Sequence, residues 1–295
     1  MRLLGLILMV LLLSACAFNK LYLRPSALSS DTPLLKQVRN KDTVYISFNP
    51  VNHQPTYLKG KTDTIQFDYT IESVVFKSRN GNELNGWLIK PKKLKPTTTI
   101  FHFHGNAGNI LGQHRAMIPL LKFGFQIFVF DYSGFGFSTG KATRKNVLTD
   151  AHAALDYIKT RSDVNTTKLV IYGQSLGGHL SAVVANQRQN DIDALVIEGA
   201  FSSHKDIAAD MAGFIGRILV SEKYSAYASI PSVKKPVLII HSTQDETIPF
   251  KMGQKLFEKA NHPKEFYEIK ECHICGPRYY ADSIAQKINR LLLTH

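Results

Sequence analysis

The sequence lacks the features that mark the more specialised classes of protein. It has three cysteines, at positions 16, 272 and 275, which allow at most one disulfide within the chain. It has no internal repeat and no low-complexity block, which argues against a repeat architecture. Its 295 residues are 44% hydrophobic and 20% charged, as in an ordinary globular protein. One large domain would use most of this length.

Acidic residues are scarce relative to basic ones. The chain has 36 Lys and Arg against 23 Asp and Glu, a formal net charge of +13. The basic residues are scattered and no nucleic-acid-binding motif accompanies them, so we expect no nucleic-acid partner. The charge favours a basic surface that faces anionic lipid.

The N-terminus has the layout of a secretory signal. The apolar run Leu3–Leu13 follows Arg2 and precedes the small residues Ser14 and Ala15. The run is too short for a comfortable membrane span, which needs roughly 20 apolar residues. We therefore predict a signal peptide over residues 1–15.

The four residues LSAC that end at Cys16 resemble the bacterial lipobox. This resemblance implies cleavage before Cys16 and lipidation of that residue, with several acyl chains for durable anchoring. Ala17 rather than aspartate follows the cysteine, which by the family's rule of thumb favours the outer membrane over the inner one. The predicted protein is an exported, membrane-anchored lipoprotein that faces the periplasm. An ordinary signal peptide and an uncleaved anchor are the alternatives.

Short apolar runs alternate with helical patterns from about residue 71 to residue 295, after a predicted tether and N-terminal extension over residues 16–70. An early strand is expected at Val44–Phe48. The later strand candidates are Ser73–Lys77, Leu84–Ile89, Thr99–Phe103, Gln126–Phe130, Leu169–Tyr172, Ala194–Ile197, Val237–Ile240 and Phe266–Ile269. This alternation predicts an α/β fold with a mostly parallel eight-stranded sheet and helices on both faces.

The segment GQSLG, with Ser175 at its centre, matches the G-x-S-x-G nucleophile elbow. It lies where the Leu169–Tyr172 strand should end and a helix should begin at Leu176. In such a turn small residues two positions either side of the serine let strand and helix approach closely. A glycine-rich helix start without chemistry is the alternative, and the strand-turn-helix context favours the elbow.

A serine hydroxyl needs a base to remove its proton and an acid to orient that base. Asp245 follows the Val237–Ile240 strand and His273 follows the Phe266–Ile269 strand, in the chain order Ser, Asp, His. The carboxyl ends of such strands collect sites in open α/β sheets. Glu246 or Glu198 could replace Asp245 as the acid. Among the other ten histidines, those near the active edge or in predicted helices lack the late position that this order requires: His102, His104, His152, His179 and His241.

The loop after the Thr99–Phe103 strand, GNAGN, is rich in small residues. The backbone N–H of Asn106 in this loop and that of Leu176 after the serine are the predicted oxyanion-hole donors.

Cys272 and Cys275 flank the proposed base. If Cys16 is lipidated, an even pair remains in an oxidising compartment, and a Cys272–Cys275 disulfide is one interpretation. Two free thiols are the other, with a redox motif and a zinc site that includes His273 as weaker alternatives.

Six segments occur in the order found in the α/β-hydrolase superfamily: FHFHGNAGN, FDYSGFGFSTG, YGQSLGGHL, IEGAFSS, HSTQDETIP and CHICGP. From about Glu72 to the C-terminus the chain resembles the small-lid branch of this superfamily, which includes membrane-attached bacterial hydrolases and acyl-protein thioesterases. The resemblance implies an α/β-hydrolase fold, no cofactor and no metal.

The predicted activity is a serine hydrolase that cleaves ester or thioester bonds of an acyl or lipid-like substrate through an acyl-enzyme. An amidase or peptidase on the same triad and a catalytically silent lipoprotein that binds a partner are the alternatives. A small lid is expected at about residues 201–235, and its apolar stripe would line an acyl pocket or pack into the core. The stripe comprises Met211, Phe214, Ile218 and Leu219. The sequence leaves the oligomeric state open.

Overall fold

The computed structural model describes residues 22–29, 34–39 and 42–293. The predicted signal peptide and Cys16 lie outside the described residues. Within these ranges, no helix combines the length and the apolar character needed to cross a membrane.

The described N-terminal residues form a small layer of strands. They are β1 (Arg24–Pro25), β2 (Leu35–Arg39), β3 (Asp42–Phe48), β4 (Pro55–Lys59) and β5 (Asp63–Thr64), of which β2 to β5 form an antiparallel sheet in chain order. The strand expected at Val44–Phe48 lies within β3. Ile46 and Tyr57 of this sheet are buried in one cluster with Trp87. Much of the segment expected to be a tether is therefore folded against the domain that follows.

That domain is built on an eight-stranded sheet. Its strands are β6 (Tyr69–Lys77), β7 (Glu83–Pro91), β8 (Thr98–Phe103), β10 (Phe125–Phe130), β11 (Lys168–Gln174), β12 (Ala194–Glu198), β13 (Val237–Ser242) and β14 (Lys264–Ile269), whereas β9 (Ala107–Gly108) pairs with β1. Their order is β14-β13-β12-β11-β8-β10-β7-β6. Only the pairings of β7 with β10 and β6 are antiparallel. Each later strand candidate lies within one of these strands, and the mostly parallel sheet is confirmed.

Helices cover both faces of this sheet. They are α1 (Ile110–Gln113), α2 (Arg144–Lys159), α3 (Ser162–Asn165), α4 (Leu176–Gln187), α5 (His204–Leu219), α6 (Ala226–Ser229), α7 (Phe250–Lys259) and α8 (Gly276–Leu292), with short 3-10 turns at His114–Ala116, Ile118–Phe123, Gln189–Asp191 and Ile230–Ser232. Leu155 of α2 is buried in one cluster with Phe101, whereas Ile288 of α8 is buried in the other with Val170. Because helices cover both faces, β8, β10 and β13 are buried at every residue.

The lid predicted at 201–235 contains α5 and α6. Helix α5 is broken at Ala212 and at Gly213, which has φ 61° and ψ −153°. The apolar stripe lines no described pocket and does not enter the core: Met211, Phe214 and Ile218 are 57%, 75% and 58% exposed and Leu219 is half-buried. The expectation for this stripe is wrong because helical spacing places side chains on one face only while the helix continues unbroken.

Candidate active site

Ser175 lies in a sharp turn between β11, which ends at Gln174, and α4, which begins at Leu176. Its φ of 55° and ψ of −115° fall in a region that L-residues rarely adopt. Such a conformation costs on the order of 1–3 kcal/mol and persists only where the surroundings impose it. The Ser175 N–H donates to the carbonyl oxygen of Glu198 at 2.9 Å, which ties the turn to the end of β12.

The glycines around Ser175 have a steric cause. A Cβ on Gly173 would lie 2.2 Å from the carbonyl oxygen of Gly177. A Cβ on Gly177 would lie 1.9 Å from the carbonyl oxygen of Phe103. Helix α4 therefore crosses the end of β8 at a distance that only glycine allows, as the motif predicts.

His273 and Asp245 meet at the same edge of the sheet. Asp245 lies in the loop after β13, and His273 lies in the loop between β14 and α8. His273 Nδ1 is 2.7 Å from Asp245 Oδ2, a hydrogen bond in which the imidazole N–H donates. The other oxygen, Oδ1, accepts the backbone N–H groups of Thr247 at 2.9 Å and Ile248 at 2.8 Å. Both oxygens of the carboxylate are thus oriented by donors.

The side chain of Asp245 is only 1% exposed. Burial by itself raises its pKa, but hydrogen bonds from His241, His273 and Ile248 outweigh burial and hold the pKa well below its usual value. His241 Nε2 lies 3.4 Å from Asp245 Oδ2. The group facing His273 is therefore an ionised carboxylate, as an acid that stabilises an imidazolium must be.

Ser175 and His273 approach each other through neighbouring backbone positions. The backbone N–H of Ser175 is hydrogen-bonded to the carbonyl oxygen of Glu198. The next residue is Gly199, and a Cβ added to it would lie 3.1 Å from the ring of His273. The structure describes no hydrogen bond between Ser175 and His273. Catalytic hydrogen bonds are often long without substrate and tighten only in the complex.

The two predicted oxyanion donors flank Ser175. A Cβ on Gly105 would lie 3.8 Å from the Ser175 Cβ, so the loop after β8 runs alongside the serine. Among the described residues, neither the N–H of Asn106 nor that of Leu176 has a hydrogen-bond acceptor. Both donors are therefore available to a substrate oxygen.

The N-terminal segment holds this loop, which the sequence did not indicate. Strand β1 pairs in parallel with β9, and the N–H of Arg24 donates to the carbonyl oxygen of Asn106 at 2.8 Å. The Asn106 side chain donates to the carbonyl oxygen of Tyr22 at 2.6 Å. A two-residue strand gives too short a pattern for periodicity to detect.

Comparisons with known proteins place the fold in a family. A family model described as "alpha/beta hydrolase fold" matches residues 98–215. The chain is 39% identical over 208 residues to the protein named "Uncharacterized protein YfhR" of Salmonella typhi, covering 66% of this chain and 71% of that protein. The chain belongs to the α/β-hydrolase superfamily. The resemblance of the motifs to this superfamily is thereby confirmed.

Other α/β hydrolases give the same result. The Arabidopsis thaliana protein WAV2, an alpha/beta hydrolase domain-containing protein, is 32% identical over 64% of this chain and 66% of its own length. The Pyrococcus furiosus esterase Pf2001 superposes with a TM-score of 0.62 at 18% identity, covering 77% of this chain and 93% of the esterase. Est1E from Butyrivibrio proteoclasticus, solved with ferulic acid, gives a TM-score of 0.62 at 20% identity over 75% of this chain and 98% of its own. At these identities the two structures show the fold alone.

Glu198, one of the alternative acids, has another role in this α/β hydrolase. Its buried carboxylate accepts from the Tyr172 hydroxyl at 2.8 Å, the Gln174 amide at 2.7 Å and the Gly276 N–H at 2.6 Å. Burial raises its pKa, against these three donors. It therefore joins the serine turn to the start of α8. Sequence reasoning missed this function, and the only signal was a carboxylate at the end of a strand of otherwise apolar residues.

A disulfide joins Cys272 and Cys275, whose Cα atoms are 5.5 Å apart. It encloses His273 and Ile274, and Ile274 has a positive φ of 51°. With both sulfurs in the disulfide, neither cysteine offers zinc a thiolate.

Among the described residues, one cluster has the spacing of a metal site: His179, His204 and Glu222, with ligand atoms within 4.8 Å of one another. Glu222 accepts from the His204 ring at 2.9 Å and from the His204 backbone N–H at 3.0 Å. The His179 ring lies between the carbonyl oxygens of Phe201 and Tyr224, at 3.1 and 3.3 Å. Glu222 and His204 bond each other at the start of α5, and backbone carbonyl oxygens hold His179, so we assign all three side chains to the fold.

A cavity of about 720 Å³ adjoins His273. Its remaining lining consists of Val38, Arg115, Ala116, Pro119, Ile274, Cys275 and Arg278. Most of these side chains are apolar. Neither Arg115 nor Arg278 has a carboxylate partner among the described residues. The cavity thus combines an apolar wall with two guanidinium groups beside the proposed base.

We expect Gly177→Ala to lower the free energy of unfolding by about 3 kcal/mol, because the added Cβ overlaps the carbonyl oxygen of Phe103. The control is Gly112→Ala within α1, where an added Cβ meets nothing within 4 Å; it should change stability by about 1 kcal/mol or less. Urea unfolding of the purified variants measures both. Wild-type stability of Gly177→Ala would contradict the close crossing.

The depressed pKa of Asp245 predicts a pH dependence of stability. A carboxylate whose folded pKa is lowered stabilises the protein above its unfolded pKa of about 4, and this contribution is lost as the pH falls. From about pH 6 to about pH 3 the free energy of unfolding should therefore fall less steeply for Asp245→Asn than for wild type. Urea titrations across this range measure the slopes. Asp210→Asn, at an exposed site without a described partner, should keep the wild-type slope; a wild-type slope for Asp245→Asn would refute the depressed pKa of Asp245.

Proposed function

We propose that the protein is a serine hydrolase that cleaves carboxylic ester or thioester bonds of an acyl or lipid-like substrate through an acyl-enzyme. The observation that carries this proposal is the 2.7 Å hydrogen bond between His273 and Asp245, at the sheet edge where Ser175 occupies its strained turn. A nucleophile, a base and an orienting acid on one edge are the components that acyl transfer needs.

In the proposed reaction, Ser175 Oγ attacks the substrate carbonyl carbon while His273 Nε2 takes the hydroxyl proton. The carbonyl oxygen becomes an oxyanion that accepts hydrogen bonds from the backbone N–H groups of Asn106 and Leu176. His273 then gives its proton to the leaving alcohol or thiol, and the acyl group remains on Ser175. Water, deprotonated by His273, attacks the acyl-enzyme and releases the carboxylic acid.

Asp245 acts through His273. Its hydrogen bond to Nδ1 places the other nitrogen, Nε2, in the tautomer that can accept a proton. Its negative charge stabilises the imidazolium that forms when His273 takes the serine proton.

The cavity beside His273 supports a lipid-like substrate. Its apolar residues, such as Pro119 and Ile274, suit a hydrocarbon group. Arg115 and Arg278 suit an anionic group, because guanidinium pairs readily with carboxylate and phosphate. An ester that carries both an apolar and an anionic part would use the whole lining.

We further propose that the mature protein begins at a lipidated Cys16 and is held at a membrane facing the periplasm, with the outer membrane favoured. The lipobox-like LSAC segment and the formal charge of +13 support this placement.

We expect Ser175→Ala to fold normally, to lose labelling by a fluorophosphonate probe and to lower ester turnover at least about a thousandfold, because the nucleophile is removed. Ser181→Ala is a matched control on the same helix, since the Ser181 hydroxyl only donates to the carbonyl oxygen of Gly178 at 2.8 Å. It should keep both labelling and turnover.

Esters, thioesters and amides of increasing chain length, assayed with both variants, identify the bond that is cleaved. Preferential amide cleavage would replace the esterase proposal with an amidase. Folded wild-type protein that neither reacts with the probe nor hydrolyses any member of the panel would favour a silent binding module.

A further inference from the structure

Helix α5 presents apolar side chains to solvent. Phe214 is 75% exposed, Ile215 68%, Ile218 58% and Met211 57%. A helix on a globular protein normally turns its apolar stripe towards the core. Ile218 lies three residues after Ile215 and four after Phe214 in the half of α5 that follows the break, so these three side chains share one exposed face, and Met211 lies just before the break. Exposed apolar side chains grouped in this way mark an interaction site.

The patch has a fixed shape. Helix α5 breaks at Ala212 and Gly213, and the second half folds back so closely that a Cβ on Gly216 would lie 2.1 Å from the carbonyl oxygen of Ala208. Arg217 Nη1 lies 2.7 Å from Asp206 Oδ1, an ion pair between the two halves. We call residues 211–218 the apolar knuckle. Contacts across the break hold the knuckle, so the exposure of its apolar side chains is built into the fold.

Basic side chains without a described acidic partner flank the apolar knuckle in the sequence. Lys205 and Lys223 are exposed and have no acidic partner among the described residues. Asp206 pairs with Arg217 and also with Lys255, at 3.4 Å. The opposing charges are the exposed carboxylate of Asp210 and the half-buried carboxylate of Glu222, which accepts hydrogen bonds from His204. Together with the net charge of +13, these lysines suit an anionic surface.

The chain's N-terminal segment enters the described structure beside the same helix. The ring of Tyr22 packs edge-on against Phe201 at 5.5 Å and His204 at 6.0 Å, between ring centroids. His204 is the first residue of α5. Residues 16–21, fully extended, reach about 20 Å from Tyr22, and the helical rise from His204 to Met211 is about 10 Å. An anchor at or before Cys16 and the knuckle can therefore reach one surface together.

We propose that the apolar knuckle inserts into the head-group region of an anionic lipid bilayer, the same bilayer that holds the chain's N-terminus. The knuckle is then a second membrane contact, which fixes the orientation of the hydrolase domain on the surface. The insertion is independent of catalysis. One consequence for activity rests on the proposed function: the inserted protein should reach a lipid-embedded ester more readily than a domain that is free in solution.

A tryptophan reporter tests the insertion directly. The protein has a single tryptophan, Trp87, which is 1% exposed, so Phe214→Trp adds an exposed fluorophore over a weak background. We expect vesicles of phosphatidylglycerol and phosphatidylethanolamine with brominated acyl chains to quench at least half of the added emission of the full chain. Val51→Trp, at an 83% exposed site in the turn between β3 and β4, is the matched control and should not be quenched.

The other occupants of the knuckle give different results. The emission of Phe214→Trp could already be blue-shifted without lipid. A shift that is independent of protein concentration would show that the chain's own Leu3–Leu13 run covers the patch. A concentration-dependent shift would show a second copy there. Vesicle-bound Phe214→Trp protein whose added emission is unquenched would also overturn the proposal.

A paired assay separates this inference from the proposed function. Phe214→Ser combined with Ile218→Ser should lower turnover of an ester embedded in vesicles at least tenfold and leave turnover of a short soluble ester unchanged. If the double variant hydrolyses the vesicle-embedded ester as fast as wild type does, the role of the knuckle is contradicted. Absent turnover in wild type would defeat the esterase proposal, while the quenching result would still decide the insertion.

Discussion

The site depends on the crossing of helix α4 over the end of strand β8. At that crossing the position of Gly177 has no room for a side chain beside the backbone of Phe103. The approach draws the N-terminus of α4, with its free N–H groups, against the loop that follows β8. Because Ser175 occupies the turn between β11 and this helix, the same contact sets the position of the serine and of both proposed oxyanion donors. A looser crossing would separate the serine from the loop.

Glu198 extends this constraint to the histidine side of the site. Its backbone oxygen holds the Ser175 N–H, and its carboxylate holds Gln174 and Gly276. Burying a carboxylate is costly unless donors surround it, and here three donors do. The residue before the serine and the start of the helix after His273 are thus tied to one side chain. The disulfide that encloses His273 adds a covalent restraint to the same loop.

The N-terminal segment connects the proposed anchor to the chemistry. Tyr22 contacts the start of α5 and receives a hydrogen bond from Asn106, whose backbone N–H is a proposed oxyanion donor. Tyr22 and Arg24 are therefore built into the sheet edge that carries the residues proposed for catalysis. The apolar knuckle extends from the same helix. The proposed membrane anchor and the proposed oxyanion loop are consequently linked through the contacts of Tyr22.

The periodicity of the sequence was sufficient to predict the sheet. Apolar runs such as Val237–Ile240 carry their own signal, since strands buried on both faces must be apolar throughout, and each lies within an observed strand. The residues proposed for catalysis were also predicted from the sequence. The motif around Ser175 and the strand-end positions of Asp245 and His273 follow from local pattern and chain order.

The sequence by itself determined the alternation of strands and helices, the glycine turn and the candidates for the triad, because each is encoded within a few neighbouring residues. Tertiary structure alone decided between Asp245 and Glu198 as the partner of His273, since both are carboxylates at strand ends and only distance separates them. It also decided that the stripe at Phe214 faces solvent, since a backbone break redirects a helix face that periodicity treats as continuous. Contacts between residues far apart in the chain, such as Tyr22 with Asn106, leave no local pattern and so arise only in the folded molecule.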